Sequence, residues 1–348
     1  MFGGISEKEI IEFNKTFSIM LLSRLSILQS LEIIHAQTKN EKFKEIIKKI
    51  ISDIKTGAPL SKSFAKHPEI FSDIYVANLR VAEESGQIAE VIEDYTKYLE
   101  GIQDLKRKIF QAARYPMIVL LVAGGVVFFM SFFLIPTFQG LFFSSKSSLP
   151  GVTQFVLSVS YAIKDNFFII LGLLIAAFML FLRRKKIAWI NNLTDKMMIE
   201  LPVISNLYIK NTLARFSLSM ALLLKSKVSL LEALKISKGI TGNRIFQKEI
   251  DAMIKRIAKG EALSFNAAKS RFFDMTYVKL LSAGEETAEL EKVFYLISGY
   301  YSKEFDYQLD NATSLIEPAL ILFIGAVVGV ILAAMYLPMF ELINNFGV

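Results

Sequence analysis

Apolar positions follow two regimes along this chain. From residue 6 to 114 they recur every three or four places, the spacing that gathers them on one face of a helix. Phe13, Phe17, Met20 and Leu21 make a first face, and Ile27, Leu28, Leu31 and Ile34 a second. Asn40 is placed to cap a third helix, with Phe43, Ile46, Ile47, Ile50, Ile51 and Ile54 as its stripe and Lys44, Lys48, Lys49 and Asp53 outside it. Thr56–Gly57–Ala58–Pro59 stops that helix. A short helix over Leu60–Ala65 follows, then a break at His67–Pro68 and a fifth helix over Phe71–Glu84. After the Ser85–Gly86–Gln87 turn, Ile88–Ala113 reads as one long helix. No run alternates with the period of a strand. The pattern predicts a compact bundle of about six helices.

The second regime is continuous. Arg114–Phe138 reads RYPMIVLLVAGGVVFFMSFFLIPTF, and no charge follows Arg114 until Lys146. About 23 residues at about 1.5 Å each give about 35 Å of helix, enough to cross a bilayer core of about 30 Å. Asn166–Leu182 is a shorter apolar run near the lower limit for a span, and Glu317–Phe340 is a third. Between the first two, Gln139–Asp165 carries only Lys146, Lys164 and Asp165, and Val152–Ile163 is expected to lie along the membrane interface as an amphipathic helix.

The two regimes recur together. A shift of 202 positions puts Pro116 on Pro318, Pro136 on Pro338 and Phe138 on Phe340. A shift of 203 puts Phe13 on Phe216, the Ser26-Ile-Leu-Gln-Ser-Leu run on Ser229-Leu-Leu-Glu-Ala-Leu, Gly57 on Gly260, and Leu60–Ser61 on Leu263–Ser264. After a one-residue deletion, Phe71 falls on Phe273, Tyr75 on Tyr277 and Glu83–Glu84 on Glu285–Glu286. So long a period is not that of a solenoid. It predicts an all-α membrane protein built by tandem duplication, with two homologous bundles and three transmembrane helices. The expected order is a cytoplasmic bundle over 1–114, a span over 115–138, an extracytoplasmic loop over 139–165 and a span over 166–182. A second cytoplasmic bundle over 183–316, a span over 317–340 and a short extracytoplasmic tail over 341–348 follow. The extra span gives an even number of crossings between the copies, so both bundles face one side.

Composition agrees with that order. The chain of 348 residues is 53% hydrophobic and 21% charged, and its charges are segregated from the apolar runs. The formal net charge of +7 invites a nucleic-acid reading. The basic residues instead flank the spans, at Lys106–Arg107–Lys108 and Arg114 and at Arg183–Arg184–Lys185–Lys186, where cytoplasmic anchors belong. The opening MFGGISEKEIIEFNKTF is acidic and amphipathic, unlike a secretory signal, so the first bundle is expected to stay on the side of synthesis.

Candidate chemistry is sparse. The chain has no cysteine, which removes disulfides, thiol chemistry and cysteine-bound zinc. His35 and His67 are its two histidines, and no nucleophile–base pattern surrounds either. No phosphate-binding loop occurs, and Thr241–Gly242–Asn243 reads as a turn. No enzyme activity, metal or cofactor is expected, and powered work requires a motor from a partner. The spans hold no Asp, Glu, Lys or Arg between their ends, which argues against a transporter component, the rival reading. The most distinctive polar repeats are Ala82-Glu-Glu-Ser-Gly-Gln-Ile and Gly284-Glu-Glu-Thr-Ala-Glu-Leu. They can end one helix and cap the next through Ser85 or Thr287, form a partner surface, or hold a divalent cation. Gly124, Gly125, Gly325 and Gly329 are candidate helix-packing positions, and Pro136 and Pro338 are expected to end their spans.

With the paired architecture in view, several motifs converge on one resemblance. These are Lys108–Pro136 with Tyr115–Pro116 and its closing Leu134-Ile-Pro, Glu83-Glu-Ser-Gly86, Leu149–Pro150, Ile316-Glu-Pro and Leu337-Pro-Met-Phe-Glu-Leu. From Phe13 to Gly347 the chain resembles the type II secretion F / PilC family. Its members are inner-membrane platform proteins of type IV pilus, type II secretion and DNA-uptake machines. The resemblance implies six-helix cytoplasmic bundles, a homo-oligomer and no catalytic residues. It implies as partners a cytoplasmic secretion or pilus ATPase, a pilin or pseudopilin, other inner-membrane assembly proteins and the lipid bilayer, without direct nucleic-acid binding. Glu83, Glu84, Gly86, Glu285 and Glu286 are the expected partner-contact residues. Pro116, Gly124, Gly125, Pro136, Pro318, Gly325, Gly329 and Pro338 are the expected structural ones in the membrane. The chain departs from the family pattern at Ala113, where a larger aliphatic residue is usual, and at Ala288, where the turn of the first copy has glycine. It also starts its first bundle sooner than many relatives do, so a partner contact made through their longer lead-in is not expected here.

Overall fold

The computed structural model describes residues 4–134, 150–169, 172–173, 175–176, 179 and 188–345. Pro136, Leu149, most of the 166–182 span, the basic run at 183–186 and the last residues of the tail lie outside them. The described elements of the first copy are α1 (Glu7–Leu22), α2 (Ile27–Gln37), α3 (Glu41–Lys55), α4 (Leu60–Ala65), α5 (Asp73–Ser85) and α6 (Ile88–Phe129), which widens into a π turn over Met130–Leu134. Then come α7 (Gly151–Asp165), α8 (Ala188–Glu200), α9 (Pro202–Lys225) and α10 (Leu230–Ser237) with a 3-10 turn over Lys238–Thr241. The chain closes with α11 (Arg244–Ile257), α12 (Leu263–Ala267), α13 (Met275–Glu286) and α14 (Leu290–Asn345).

The helix starts follow capping chemistry. Ser6 and Glu9 form a reciprocal box at α1, as Ser26 and Gln29 do at α2. Asn40 accepts from the N–H groups of Lys42 and Phe43, and its repeat equivalent Asn243 accepts from those of Ile245 and Phe246. The backbone repeats even where it is strained. Left-handed φ values occur at Arg24 (65°) and Lys227 (61°), at Gly57 (85°) and Gly260 (92°), and at Gly86 (73°) and Ala288 (56°). Each pair sits at matching positions of the two copies.

The chain divides into two units. One comprises residues up to Arg107 together with Asp195–Tyr307, and the other Lys108–Thr194 together with Gln308–Val348. The first unit holds both bundles around aromatic cores. Phe13 packs edge-on against Phe43 at 5.4 Å between ring centroids, and Phe216 against Phe246 at 5.3 Å. The copies also exchange bulk: Phe64 and Ile70 of the first correspond to Ala267 and Phe272 of the second, all buried. Volume is kept while its location moves, the substitution that close-packed cores tolerate best. Ser217 and the Tyr277 hydroxyl share a hydrogen bond of 2.9 Å in the second copy. Their counterparts in the first, Asn14 Oδ1 and the Tyr75 hydroxyl, are buried without a partner among the described residues.

In the second unit the apolar helices run through their prolines. α6 contains Pro116, and α14 contains Pro318 and Pro338. α14 continues past Pro338 to Asn345, so that proline does not end the helix. Two described helices are long and apolar enough to cross a membrane, Ile88–Phe129 and Leu290–Pro338. α7 lies in the same unit. Its buried residues are the polar Thr153 and Ser160, whereas Phe155 is exposed. Thr153 Oγ1 donates to the carbonyl of Ala334 in α14.

Candidate functional site

The acidic turns are the first candidate. Glu83 lies in the last turn of α5, and its carboxylate reaches back to the start of α4, where Pro59 supplies no side-chain cap. It accepts from the N–H groups of Leu60 and Ser61, the latter at 3.0 Å, and from the Ser61 hydroxyl. Glu285 does the same for α12, whose Ala262 N-cap has no side-chain acceptor. It takes bonds from the N–H groups of Leu263 and Ser264 and from the Ser264 hydroxyl. A carboxylate at a helix N-terminus meets orphan donors and the positive end of the helix dipole together. These two acids therefore cap a helix more than twenty residues away in sequence.

Ser85 and Thr287 do not supply caps to the following helices. The Ser85 hydroxyl donates to the carbonyl of Ala82, and that of Thr287 to the carbonyl of Ala283 at 2.8 Å. Glu84 and Glu286 are exposed, the latter accepting from the Ser282 hydroxyl at 3.3 Å. Gly86 ends α5 in the left-handed region with open space around it, so the backbone, not crowding, requires glycine there. Among the described residues no three His, Cys, Asp or Glu side chains gather as a cation site.

The second candidate is the contact between the two bundles, both in the first unit. α5 packs on α9 and α10. Arg80 Nη2 lies 2.6 Å from Glu232 Oε1, and Lys225 Nζ lies 2.5 Å from Asp94 Oδ2. A hydrogen bond from Arg215 Nη2 to the carbonyl of Ile240 orients that guanidinium beside a cavity of about 340 Å³ walled by Ile10, Ile74, Tyr95 and Ile102. A wider groove of about 760 Å³ runs between Tyr98 and Gly101 of α6, Leu222 of α9 and Leu296 of α14. Burial pushes the Tyr95 phenol up to about 12, with the Ser72 hydrogen bond opposing it, so the group stays neutral at ordinary pH. Nothing in either cavity pairs a nucleophile with a base.

In the membrane unit, a Cβ added to Gly124, Gly125, Gly325 or Gly329 would meet nothing within 4 Å. These glycines therefore bring no helices together among the described residues. Gly284, which carried no such expectation, is the crowded one: a Cβ there would lie 2.9 Å from Val293 Cγ2. Thr153 also escaped notice. The available signal was a hydroxyl facing the same side as Ser160 in an otherwise apolar helix.

Comparison with known proteins decides what this pair of bundles belongs to. The sequence model described as type II secretion system (T2SS), protein F, matches residues 13–136 and again residues 216–338. Both copies are matched, each from the same core phenylalanine to the same span proline. The chain belongs to the type II secretion system protein F family. Its relatives include the type IV pilus assembly protein PilC of Thermus thermophilus, 34% identical over 99% of this chain and 85% of that protein. PilC of Myxococcus xanthus is 30% identical over 98% of this chain and 82% of its own length. The type II secretion system protein F of Xanthomonas campestris is 25% identical over 97% and 84%.

Proposed function

We propose that this chain is an inner-membrane platform protein. It couples a cytoplasmic assembly ATPase to polymerisation of a pilin or pseudopilin. The observation that carries the reading is the match along both copies to proteins named for type IV pilus assembly and type II secretion. Pilus biogenesis is favoured because the PilC relatives are the more similar ones, at 34% and 30% against 25%. DNA uptake through a pseudopilus is the alternative machine.

In this reading both six-helix bundles are cytoplasmic and three spans cross the membrane at 115–138, 166–182 and 317–340. The N-terminus is cytoplasmic and the C-terminus extracytoplasmic. The protein is a homo-oligomer, not an enzyme, and its energy arrives from the ATPase. Glu84 and Glu286, exposed beside the helix-capping acids, are the partner contacts. Two helices support the mechanical side. α6 has 42 residues and α14 has 56, each uninterrupted from bundle sequence to apolar sequence. A continuous helix passes a displacement along its axis where a loop would absorb it.

The test is a clean deletion complemented in trans, with surface fibres imaged and mature pilin measured in the inner membrane. Loss of fibres with mature pilin retained there is the expected result. Normal fibres, with secretion and transformation also intact, would overturn the reading.

A further inference from the structure

The contact between the two bundles is head-to-tail. The α5 and α6 face of the first copy meets the α9 and α10 face of the second. Because the copies are repeats, each face has a counterpart that takes no part in these ion pairs, although Leu296 also borders the groove beside Tyr98 and Leu222. The counterpart of α5–α6 is α13–α14 of the second copy, and that of α9–α10 is α1–α2 of the first. The counterpart faces carry exposed large apolar side chains at the matching places. Asp94, Tyr98 and Leu105 of α6 correspond to Leu296, Tyr300 and Tyr307 of α14. Tyr98 and Leu105 are buried, whereas Leu296 and Tyr307 are each 65% exposed. On the other side, Leu222 is 6% exposed and its counterpart Ile19 is 55% exposed.

The substitutions between inner and outer positions are matched in chemistry. The inner ion pair Asp94–Lys225 corresponds to Leu296 and Leu22, two exposed leucines. The inner pair Arg80–Glu232 corresponds to Ser282 and Gln29, two neutral polar residues. Where one side of the contact loses its charge, so does the other. We propose that α13–α14 of one molecule docks on α1–α2 of a second copy of this chain, repeating the contact that joins the bundles within each molecule. Such a heterologous interface propagates into a ring or an open array according to its rotation. It deepens the homo-oligomer part of the proposed function by naming the surfaces. One pair is opposed: Lys303 and Lys15 stand where Gly101 and Leu218 touch. Lys15 is held by Glu100 at 3.2 Å.

The test uses the full chain, with two differently tagged copies co-expressed and extracted together. The native absence of cysteine allows clean labelling. Leu22→Cys in one copy and Leu296→Cys in the other should be joined by a short bismaleimide, whereas either variant alone should give no cross-linked dimer. In the otherwise native chain, Leu22→Lys or Leu296→Asp alone should weaken co-purification by about tenfold, and the two together should restore it as a new ion pair. Lys303→Glu should strengthen it. All three positions are exposed, and unchanged helical circular dichroism checks the fold. Cross-linking of Leu22→Cys to itself, or single variants without effect while the copies still co-purify, would overturn these surfaces and leave a homo-oligomer standing. Copies that never co-purify in a strain that assembles fibres would overturn both the surfaces and the homo-oligomer, but not the platform.

Discussion

Thr153 Oγ1 donates to the carbonyl of Ala334 across 2.9 Å, and Ala334 lies four residues before Pro338. In an unbroken helix that carbonyl would accept from the N–H of residue 338. Proline has none, so α14 carries one orphan acceptor at that turn. In an apolar surround an orphan costs several kcal/mol, and the Thr153 hydroxyl removes it. This is how α14 continues past its proline and how α7 is tied to it.

Thr153→Val keeps the shape and removes the donor. It should lower the stability of the α7–α14 contact by about 1 kcal/mol. In a Pro338→Ala background, where the backbone N–H is restored, the same substitution should cost almost nothing. A double-mutant cycle on thermal unfolding of the detergent-extracted protein measures the coupling. Equal costs in both backgrounds would refute the link.

Glu83 and Glu84 should separate cleanly. Glu83→Ala strips three donors at the start of α4 of their acceptor and should cost about 1–3 kcal/mol, as should Glu285→Ala for α12. Glu84→Lys and Glu286→Lys should leave thermal stability nearly unchanged and reduce fibre assembly. Loss of assembly without loss of stability at Glu83 would reverse this assignment.

Ala288 holds a left-handed φ of 56° where the first copy has Gly86 at 73°. Ala288→Gly should therefore stabilise the second bundle by about 1 kcal/mol, and Gly86→Ala should destabilise the first by a similar amount. Calorimetry of the two variants checks the opposite signs.

Much of the first bundle was legible because capping and periodicity are local. Asn40 with Lys42 and Phe43 is written within four residues, and the stripe from Phe43 to Ile54 within a single helix. The repeat was legible because Phe13 and Phe216, or Tyr75 and Tyr277, keep both type and spacing. What stayed hidden is long-range. Glu83 finds Leu60 and Ser61 across a fold, and Thr153 finds Ala334 across 181 residues. No window along the sequence contains either pair. The Ser85 and Thr287 hydroxyls bond back to the carbonyls of Ala82 and Ala283 in the helices they end, an outcome as local as the expected caps on the helices that follow. Pro338 sits within α14, and the Thr153 hydroxyl satisfies the Ala334 carbonyl that it frees.

Asp274 gives the second bundle an acid limit. It caps α13 through Tyr277 N–H at 3.0 Å, accepts from the Tyr301 hydroxyl and lies 3.0 Å from Lys210 Nζ. Burial alone would raise its pKa. The bonds from Tyr301 and Tyr277 and the Lys210 charge outweigh that and hold it below the ordinary 3.8. The folded form therefore binds this proton less readily than the unfolded chain. Its stabilisation is complete above the unfolded value and is lost as pH falls through the lowered folded value. Asp274→Asn should lower the unfolding temperature at neutral pH and flatten its fall below about pH 4. A parallel fall in both proteins would contradict the role. The counterpart Ser72 does not titrate, so the first bundle should lack this limb.

The platform account rests on motion passing from the bundles to the spans along unbroken helix. A Gly-Gly-Ser-Gly insertion between Arg107 and Lys108, inside α6, tests it most directly in a complemented deletion strain. The account requires that the protein and mature pilin stay in the inner membrane while surface fibres disappear. Normal fibres from the inserted chain would contradict it.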